Sequence, residues 1–424
     1  MRIGTRLILG SLLAATILTN IGTAWAQKAP PPSKLLPSSK PPLFATLFAQ
    51  PTGMNGYEEW IQAGDLVRNN EMLNQAMDAD TTLTYKRRIL ADTTVQKALR
   101  LLREGMEKPT IAPPEAPDDN NAPFFPMASF RNLARLFYIQ LYVQFAEGRV
   151  DAAIDTLSTG LRFGYRIQSS TSLSITIGSG IEVLVIRSFA RHLKQLSDYQ
   201  CSRVRHLVEE CIEWPSAVAA VLNSEKQAAL NTLEAKRNDP VGLKEMFKRL
   251  GGFGDEAEPA EQERMQKMLG YLDSQPADLG MVIDHAKEMI RDHYATALLN
   301  LKLPIQERKP RRLLGDKSLS GSLCLLVPSS YSVTDKYDFL DALLHLLGTH
   351  AALHSYRWEF NNLPANLAQL RLGKLEVDPF SGASLSYQRK DKTYVLSSRN
   401  HIVHDTDGLP TTKPAAPLEL QVSR

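Results

Sequence analysis

Cysteine is scarce in this chain: Cys201, Cys211 and Cys324 are the three in 424 residues. That excludes a small fold held together by disulfides, and an odd number leaves at least one thiol outside any intramolecular pair. If Cys201 and Cys211 share a helix, about 15 Å of axial rise separates them and they cannot bond to each other. A bridge from either to Cys324 stays open beside the plainer reading of three small buried residues. A dominant charge is missing as well. The 49 basic and 46 acidic residues leave +3, and without a concentrated basic excess nucleic acid is not expected as a partner. After the N-terminus no apolar run reaches membrane-spanning length. Reactive signatures are absent too. The sequence carries no HExxH zinc helix, CxxC pair, GxSxG elbow, Walker loop or dinucleotide glycine fingerprint. No catalytic residue and no cofactor is therefore expected. Adjacent acids such as Glu58-Glu59 and Glu209-Glu210 would leave a helix in different directions and do not make an acid/base pair.

What the chain does carry starts at its first residues. Arg2 and Arg6 introduce an apolar stretch over residues 7–18, and Ala24-Trp25-Ala26 before Gln27 supplies the small-x-small pattern that signal peptidase cuts. Residues 1–26 are expected to be a signal peptide. The product is then exported, periplasmic or extracellular, and touches a membrane solely through an uncleaved signal segment. Pro30, Pro31, Pro32, Pro37, Pro41 and Pro42 make residues 27–52 an extended linker.

Helical periodicity takes over in residues 53–303. Tyr57, Trp60, Ile61, Ala63, Leu66 and Val67 form one apolar stripe, and a helix over 83–106 carries Leu90, Val95, Leu99, Leu101 and Leu102. Pro109, Pro113, Pro114, Pro117, Pro123 and Pro126 then forbid regular structure, with Asp118 to Asn121 as a solvated tip. Phe130, Leu133, Ala134, Phe137 and Leu141 lead to Gly148, and Val150, Ala153, Ile154, Leu157 and Leu161 follow it. So short a glycine turn forces two helices into an antiparallel hairpin. The Gly148-x-x-x-Ala152-Ala153 run resembles the turn of a tetratricopeptide unit, but a single copy is visible and no 34-residue period repeats, so a full solenoid is not expected. Further helices are expected near 171–196, 199–214, 216–236, 261–272 and 277–303. In the first of them Gly178 and Gly180 mark either a close backbone approach or a break. Residues 255–263 form an acidic linker. Residues 304–330 form a basic/apolar linker in which Arg308, Lys309, Arg311 and Arg312 are solvated.

Residues 331–410 are expected to form a separate module. Its helix, 334–360, is followed by Asp378-Pro379-Phe380-Ser381-Gly382, a turn in which Pro fixes φ and Gly permits φ > 0. Leu385-Ser386-Tyr387 and Tyr394-Val395-Leu396 alternate around Arg389-Lys390-Asp391-Lys392 as a β-hairpin. Residues 411–424 form a flexible tail. The fold expected is mainly α: a multi-helix antiparallel body of helical hairpins with a small C-terminal helix plus β-hairpin module.

Metal chemistry has weak candidates. His350 and His354 stand one helical turn apart with His345 nearby, and zinc would need a third donor from His401, His404 or Asp405. Asp405-Thr406-Asp407-Gly408 places Asp405 and Asp407 as a calcium loop would, but lacks the later acidic ligand. A core histidine with one hydrogen bond and a solvated turn are the ordinary accounts of these residues.

Ala351 to Tyr356, Asn361-Asn362-Leu363-Pro364, Leu367, Leu370, the Asp378-Pro379-Phe380-Ser381-Gly382 turn, Leu385, Tyr387 and Tyr394-Val395-Leu396 form a recognisable series. It resembles a set of uncharacterised exported bacterial helical proteins, in which a helix ends in Tyr…Gly-x-x-Pro-x-x-Leu before Asp-Pro-Phe-Ser-Gly and a strand pair. Asn361 stands here for the usual glycine, and Ser397-Ser398 for Tyr-Ser. The resemblance implies architecture and no activity. The same order is locally similar to the globular end of type II secretion major pseudopilins, where a calcium-holding loop follows the sheet. Asp405 and Asp407 would take the ligand places. The chain lacks the prepilin start, so a pilus subunit is not expected. The function expected is that of an exported cell-envelope protein, non-enzymatic, that binds or scaffolds other envelope proteins through helical surfaces. The alternative is a metal-dependent hydrolase using His350 and His354. A carrier for a small apolar ligand is a third class.

Overall fold

Asn55 starts the first helix by accepting a hydrogen bond from the Tyr57 N–H at 3.2 Å, which satisfies one of the four unpaired donors at a helix N-terminus. The computed structural model describes residues 53–77, 81–111, 124–168, 171–251, 259–274, 277–308, 318–324, 330–399 and 417–422. The expected signal peptide, the whole linker after it, and His401, His404, Asp405 and Asp407 lie outside the described residues. From Asn55, α1 (Gly56–Val67) runs with Tyr57, Trp60, Ile61, Ala63 and Val67 buried. It meets α4 (Thr93–Met106) backbone to backbone: a Cβ on Gly56 would lie 2.1 Å from the Gly105 carbonyl oxygen. The Trp60 indole N–H donates to the Leu102 carbonyl at 3.2 Å. The single helix expected over 83–106 is two, α3 (Leu83–Ala91) and α4. Asp92 separates them, because its carboxylate caps the Thr94 and Val95 N–H groups and so holds its own backbone extended. The short α2 (Glu71–Gln75) lies between α1 and α3.

α5 (Phe124–Ala146) and α6 (Val150–Ile167) form the expected hairpin, with Gly148 at φ +70. Phe163 of α6 meets Trp60, Phe130 and Phe137 at ring distances of 4.9, 5.7 and 5.9 Å, which fixes α6 against α1 and α5. α7 (Ser172–Ala190) starts at a reciprocal cap between Thr171 and Ser174 and is apolar all round. It is long and apolar enough to cross a membrane, yet it is mostly buried among α5, α6 and the long α14 (Ser330–Phe360). Gly178 marks a close approach: a Cβ there would lie 2.4 Å from the Gly164 carbonyl oxygen of α6. α8 (Asp198–Ile212) then runs antiparallel to α14. Asp198 takes the Ser355 hydroxyl at one end, Gly348 meets Val208 midway, and Glu213 takes Lys374 at the other end.

A second hydrophobic cluster is built by α9 (Val218–Ala235), α10 (Pro240–Gly251), α11 (Pro259–Asp273), α12 (Leu279–Asn300) and α13 (Leu319–Leu323). Helix α11 occupies part of the expected acidic linker 255–263, since Pro259 suits a first helical position. The two clusters cut across the ranges 53–303 and 331–410. Val333 belongs to the second cluster, while Leu340, Leu347 and Leu353 belong to the first with Tyr57 and Leu420. The physical cause is length. At about 1.5 Å per residue, the 31 residues of α14 reach both.

β1 (Ser386–Lys390) and β2 (Thr393–Ser398) pair antiparallel with Tyr387 opposite Leu396 and turn at Asp391, φ +48. The expectation of a flexible 411–424 tail is corrected for its described part. β3 (Leu418–Glu419) pairs with Ser397 and Ser398 to complete a three-stranded sheet, and the adjoining Leu420 is buried in the main cluster. Burial of Leu420 offsets the entropy of fixing the segment. The turn before the sheet is tied by Asp378, fully buried, whose carboxylate accepts from Phe380 N–H, Ser381 hydroxyl, Ser398 hydroxyl and Arg399 N–H at 2.7–3.1 Å.

Candidate functional site

α14 carries the histidines that the sequence singles out. His350 is buried, and its Nδ1 shares a 2.8 Å hydrogen bond with the Tyr394 hydroxyl of β2. Its Nε2 is buried without a partner. Burial, then the neighbouring His354, pushes His350 down to about 3. His354 is pushed down to about 4 by burial, Arg357 and Lys194. Both rings are therefore neutral near pH 7. The two cationic neighbours of His354 would repel a divalent ion as they repel a proton. His345 lies on another face, with Nε2 3.6 Å from Asp341. Among the described residues no group of three or more His, Cys, Asp and Glu side chains is placed to hold a metal. Asp405 and Asp407, the remaining metal candidates, lie outside the described residues.

All three thiols are free and buried. Burial and Asp198 push Cys201 up to about 12, and burial raises Cys211 as well. Neither thiol is a nucleophile at neutral pH, since attack requires the thiolate.

A group of ionisable side chains that sequence reasoning passed over lies along α7 and the N-terminal half of α14. Glu182 is the one acid of α7, is buried, and accepts the Gln168 amide at 2.5 Å. Burial raises its carboxyl well above the usual range. Lys336 donates to the Thr176 hydroxyl at 2.9 Å, and burial lowers its ammonium to about 8. Tyr337 is pushed up to about 12 by burial, with Asp341 and Glu182 adding to the rise. Asp341 is itself raised by burial against the pull of His345. Asp338 takes both ends of the Arg308 guanidinium. Arg308 is thus an ion-pair member with its side chain 12% exposed, rather than part of a solvated linker. Burial thus biases both the Glu182 carboxyl and the Tyr337 phenol toward their protonated forms. The sequence signal was available. Asp338, Asp341 and His345 share one helical face at i, i+3 and i+7, and Glu182 stands alone in an apolar helix.

The surface near the end of α14 has another character. Trp358 and Phe360 are 62% and 53% exposed, and Tyr199 at the start of α8 is 71% exposed. Trp358 is held from behind, its indole N–H donating to the Leu196 carbonyl at 3.0 Å. Phe360 rests on Tyr356 with ring centroids 4.4 Å apart. Arg389 of β1 bonds the Leu363 carbonyl and the Asn362 side chain at 2.9 and 2.8 Å, which fixes the chain leaving the helix. Fixed aromatic rings in water are a binding feature rather than a reactive one. Comparison with family models, with characterised proteins and with solved structures finds no significant match for this chain.

Proposed function

We propose that the protein is exported to the cell envelope and there binds other proteins through its helical surfaces, without catalysing a reaction. The observation that carries this reading is the exposure of three large aromatic side chains, Trp358 and Phe360 at the end of α14 and Tyr199 at the start of α8. Large rings already held in place lose little entropy on binding, and aromatic residues dominate the energy of protein interfaces. Export rests on Arg2, Arg6, the apolar stretch 7–18 and Ala24-Trp25-Ala26. The C-terminal module belongs, in this reading, with those exported helical proteins and their local likeness to major pseudopilins.

A photo-crosslinking residue placed at Tyr199 in producing cells should give a discrete higher-mass product that disappears when Trp358→Ser is added. Absence of any product at Tyr199 would remove the support. The mature N-terminus should read Gln27; a chain still beginning at Met1 in the cytoplasmic fraction would refute export. The alternative, a metal-dependent hydrolase on His350 and His354, has less support because His350 already bonds Tyr394 and cations flank His354. Stoichiometric zinc in the purified protein would reinstate it.

A further inference from the structure

α5 carries no acidic residue in its 23. Arg131, Arg135, Tyr138 and Tyr142 recur on it at i, i+4, i+7 and i+11, and so share one side. α7 runs alongside in parallel, its C-terminal end meeting that of α5: Phe145 lies 5.2 Å from Phe189 and stacks on His192 at 4.4 Å. From α7 come Arg187 and, one turn on, Arg191, whose charge acts on the Tyr138 hydroxyl. Lys86 of α3 lies 4.5 and 5.7 Å from the Tyr142 and Tyr138 ring centroids. The result is a strip of cations around two tyrosines.

Like charges press on each other here. Burial lowers Arg135 to about 10 with Arg131 adding to the fall, and Arg187 is lowered by burial and by Arg191. Several surface arginines pair with acids, as in Arg87–Glu147, Arg162–Glu210 and Arg203–Asp151. Arg131, Arg187 and Arg191 have no such ion pair among the described residues. Arg187 instead lies over the Phe339 ring, 5.4 Å from its centroid, and Arg135 bonds the neutral amides of Asn74 and Asn132. Holding like-charged guanidinium groups side by side costs stability, which an incoming carboxylate would relieve.

We propose that this strip docks an acidic segment of a partner protein, its Asp and Glu carboxylates taken by Arg131, Arg187 and Arg191. The guanidinium fork matches a carboxylate with two parallel hydrogen bonds. The span from residue 131 to 142 is about 16 Å of helix, which an extended chain of about five residues covers. A lipid surface fits less well. A membrane-docking helix face carries large apolar residues for insertion, and among the described residues none of the exposed large hydrophobic side chains lies on α5 or α7. This inference goes beyond the aromatic face; it takes from the proposed function that the partner is a protein, and its test leaves Trp358 untouched.

The test is fluorescence anisotropy of a labelled peptide with six consecutive Glu residues, titrated with the full mature chain at low ionic strength. Binding is expected, with affinity falling as salt rises. The triple variant Arg131→Ser, Arg187→Ser, Arg191→Ser should weaken it by roughly tenfold or more, one such factor being 1.4 kcal/mol. The matched triple variant Arg162→Ser, Arg203→Ser, Arg237→Ser, which removes the same net charge from paired arginines, should change it less than twofold. Circular dichroism checks that both variants fold. Failure of the peptide to bind, equal loss in both variants, or preferential binding of phosphatidylglycerol vesicles over the peptide would each overturn the proposal. Loss of the Tyr199 crosslink with intact peptide binding would sink the aromatic reading and leave this one standing.

Discussion

Asp378 makes four hydrogen bonds from a fully buried carboxylate, two to the turn that follows it and two to the end of β2. It joins the Pro379-containing turn to the end of β2, which gives a sequence motif a physical reason. Asp378→Ala would leave two backbone N–H groups and two hydroxyls without their acceptor, a loss of about 3 kcal/mol. Chemical denaturation should show that loss; a change under 1 kcal/mol would mean that water replaces the carboxylate. His350 makes a prediction of opposite character, since its cost appears on acidification. Its folded pKa is about 3 against about 6.5 when unfolded. Between those values the unfolded chain binds the proton and the folded one does not, so stability falls as pH drops through that window. At pH 4.5 the loss relative to pH 7.5 is about 2–3 kcal/mol. Relative to the unaltered chain, His350→Gln should lose less stability on going from pH 6.5 to 4.5. Glu182 works the other way, because burial raises its carboxyl, so its contribution to stability declines as pH rises above the unfolded carboxyl value of about 4.3. Above about pH 4.3 the two slopes oppose each other, so the His350 contribution is read as the difference between the His350→Gln profile and that of the unaltered chain. Unchanged slopes in His350→Gln would show that the ring is not the group responsible.

At the scale of elements, much of the fold could be read from periodicity. The stripe Tyr57-Trp60-Ile61 and the glycine stop at 148 each specify a local outcome that tertiary packing then uses. Misses arose where a local signal was short or doubled. Asp92 is both the end of α3 and the cap of α4, and a continuous apolar pattern across it hides the break. α10 had a legible start, since Asp239 accepts the Gly242 N–H at 2.7 Å and Pro240 stands at the first helical position. β3 has two residues, too few for any alternation. The members of the ionisable group of Glu182, Lys336 and Asp341 were legible one by one, but their meeting was not: it depends on how α7 meets α14, more than 150 positions later in the sequence. The contact that places α7 is testable. Gly178→Ala would set a Cβ 2.4 Å from the Gly164 carbonyl oxygen, forcing α6 and α7 apart. The expected cost is about 2–3 kcal/mol, read as a lower denaturation midpoint. Gly148→Ala offers a contrast, because open space surrounds that position and its φ of +70 carries a backbone cost of about 1 kcal/mol.

Over the whole molecule, two hydrophobic clusters are joined by α7, whose Ile175 lies in the second and Ile177 in the first, and by α14, where the join is polar. α14 gives Val333 to one cluster and Leu340 onward to the other, while Asp338 between them holds Arg308 from the segment that follows α12. The Arg308–Asp338 pair has side chains 12% and 10% exposed. At that depth a pair contributes little against an apolar replacement, but removing one member is costly. Arg308→Ala should therefore destabilise by about 3 kcal/mol, and unevenly. Amide exchange should quicken in α9, α12 and the first turns of α14, because the loss falls on the seam that holds the second cluster. α1, α4, α5 and α6, whose core of Trp60, Phe130 and Phe163 lies elsewhere, should keep their protection. A uniform rise in exchange would show that both clusters unfold as one cooperative unit, and that the polar seam couples them as tightly as the shared helices do.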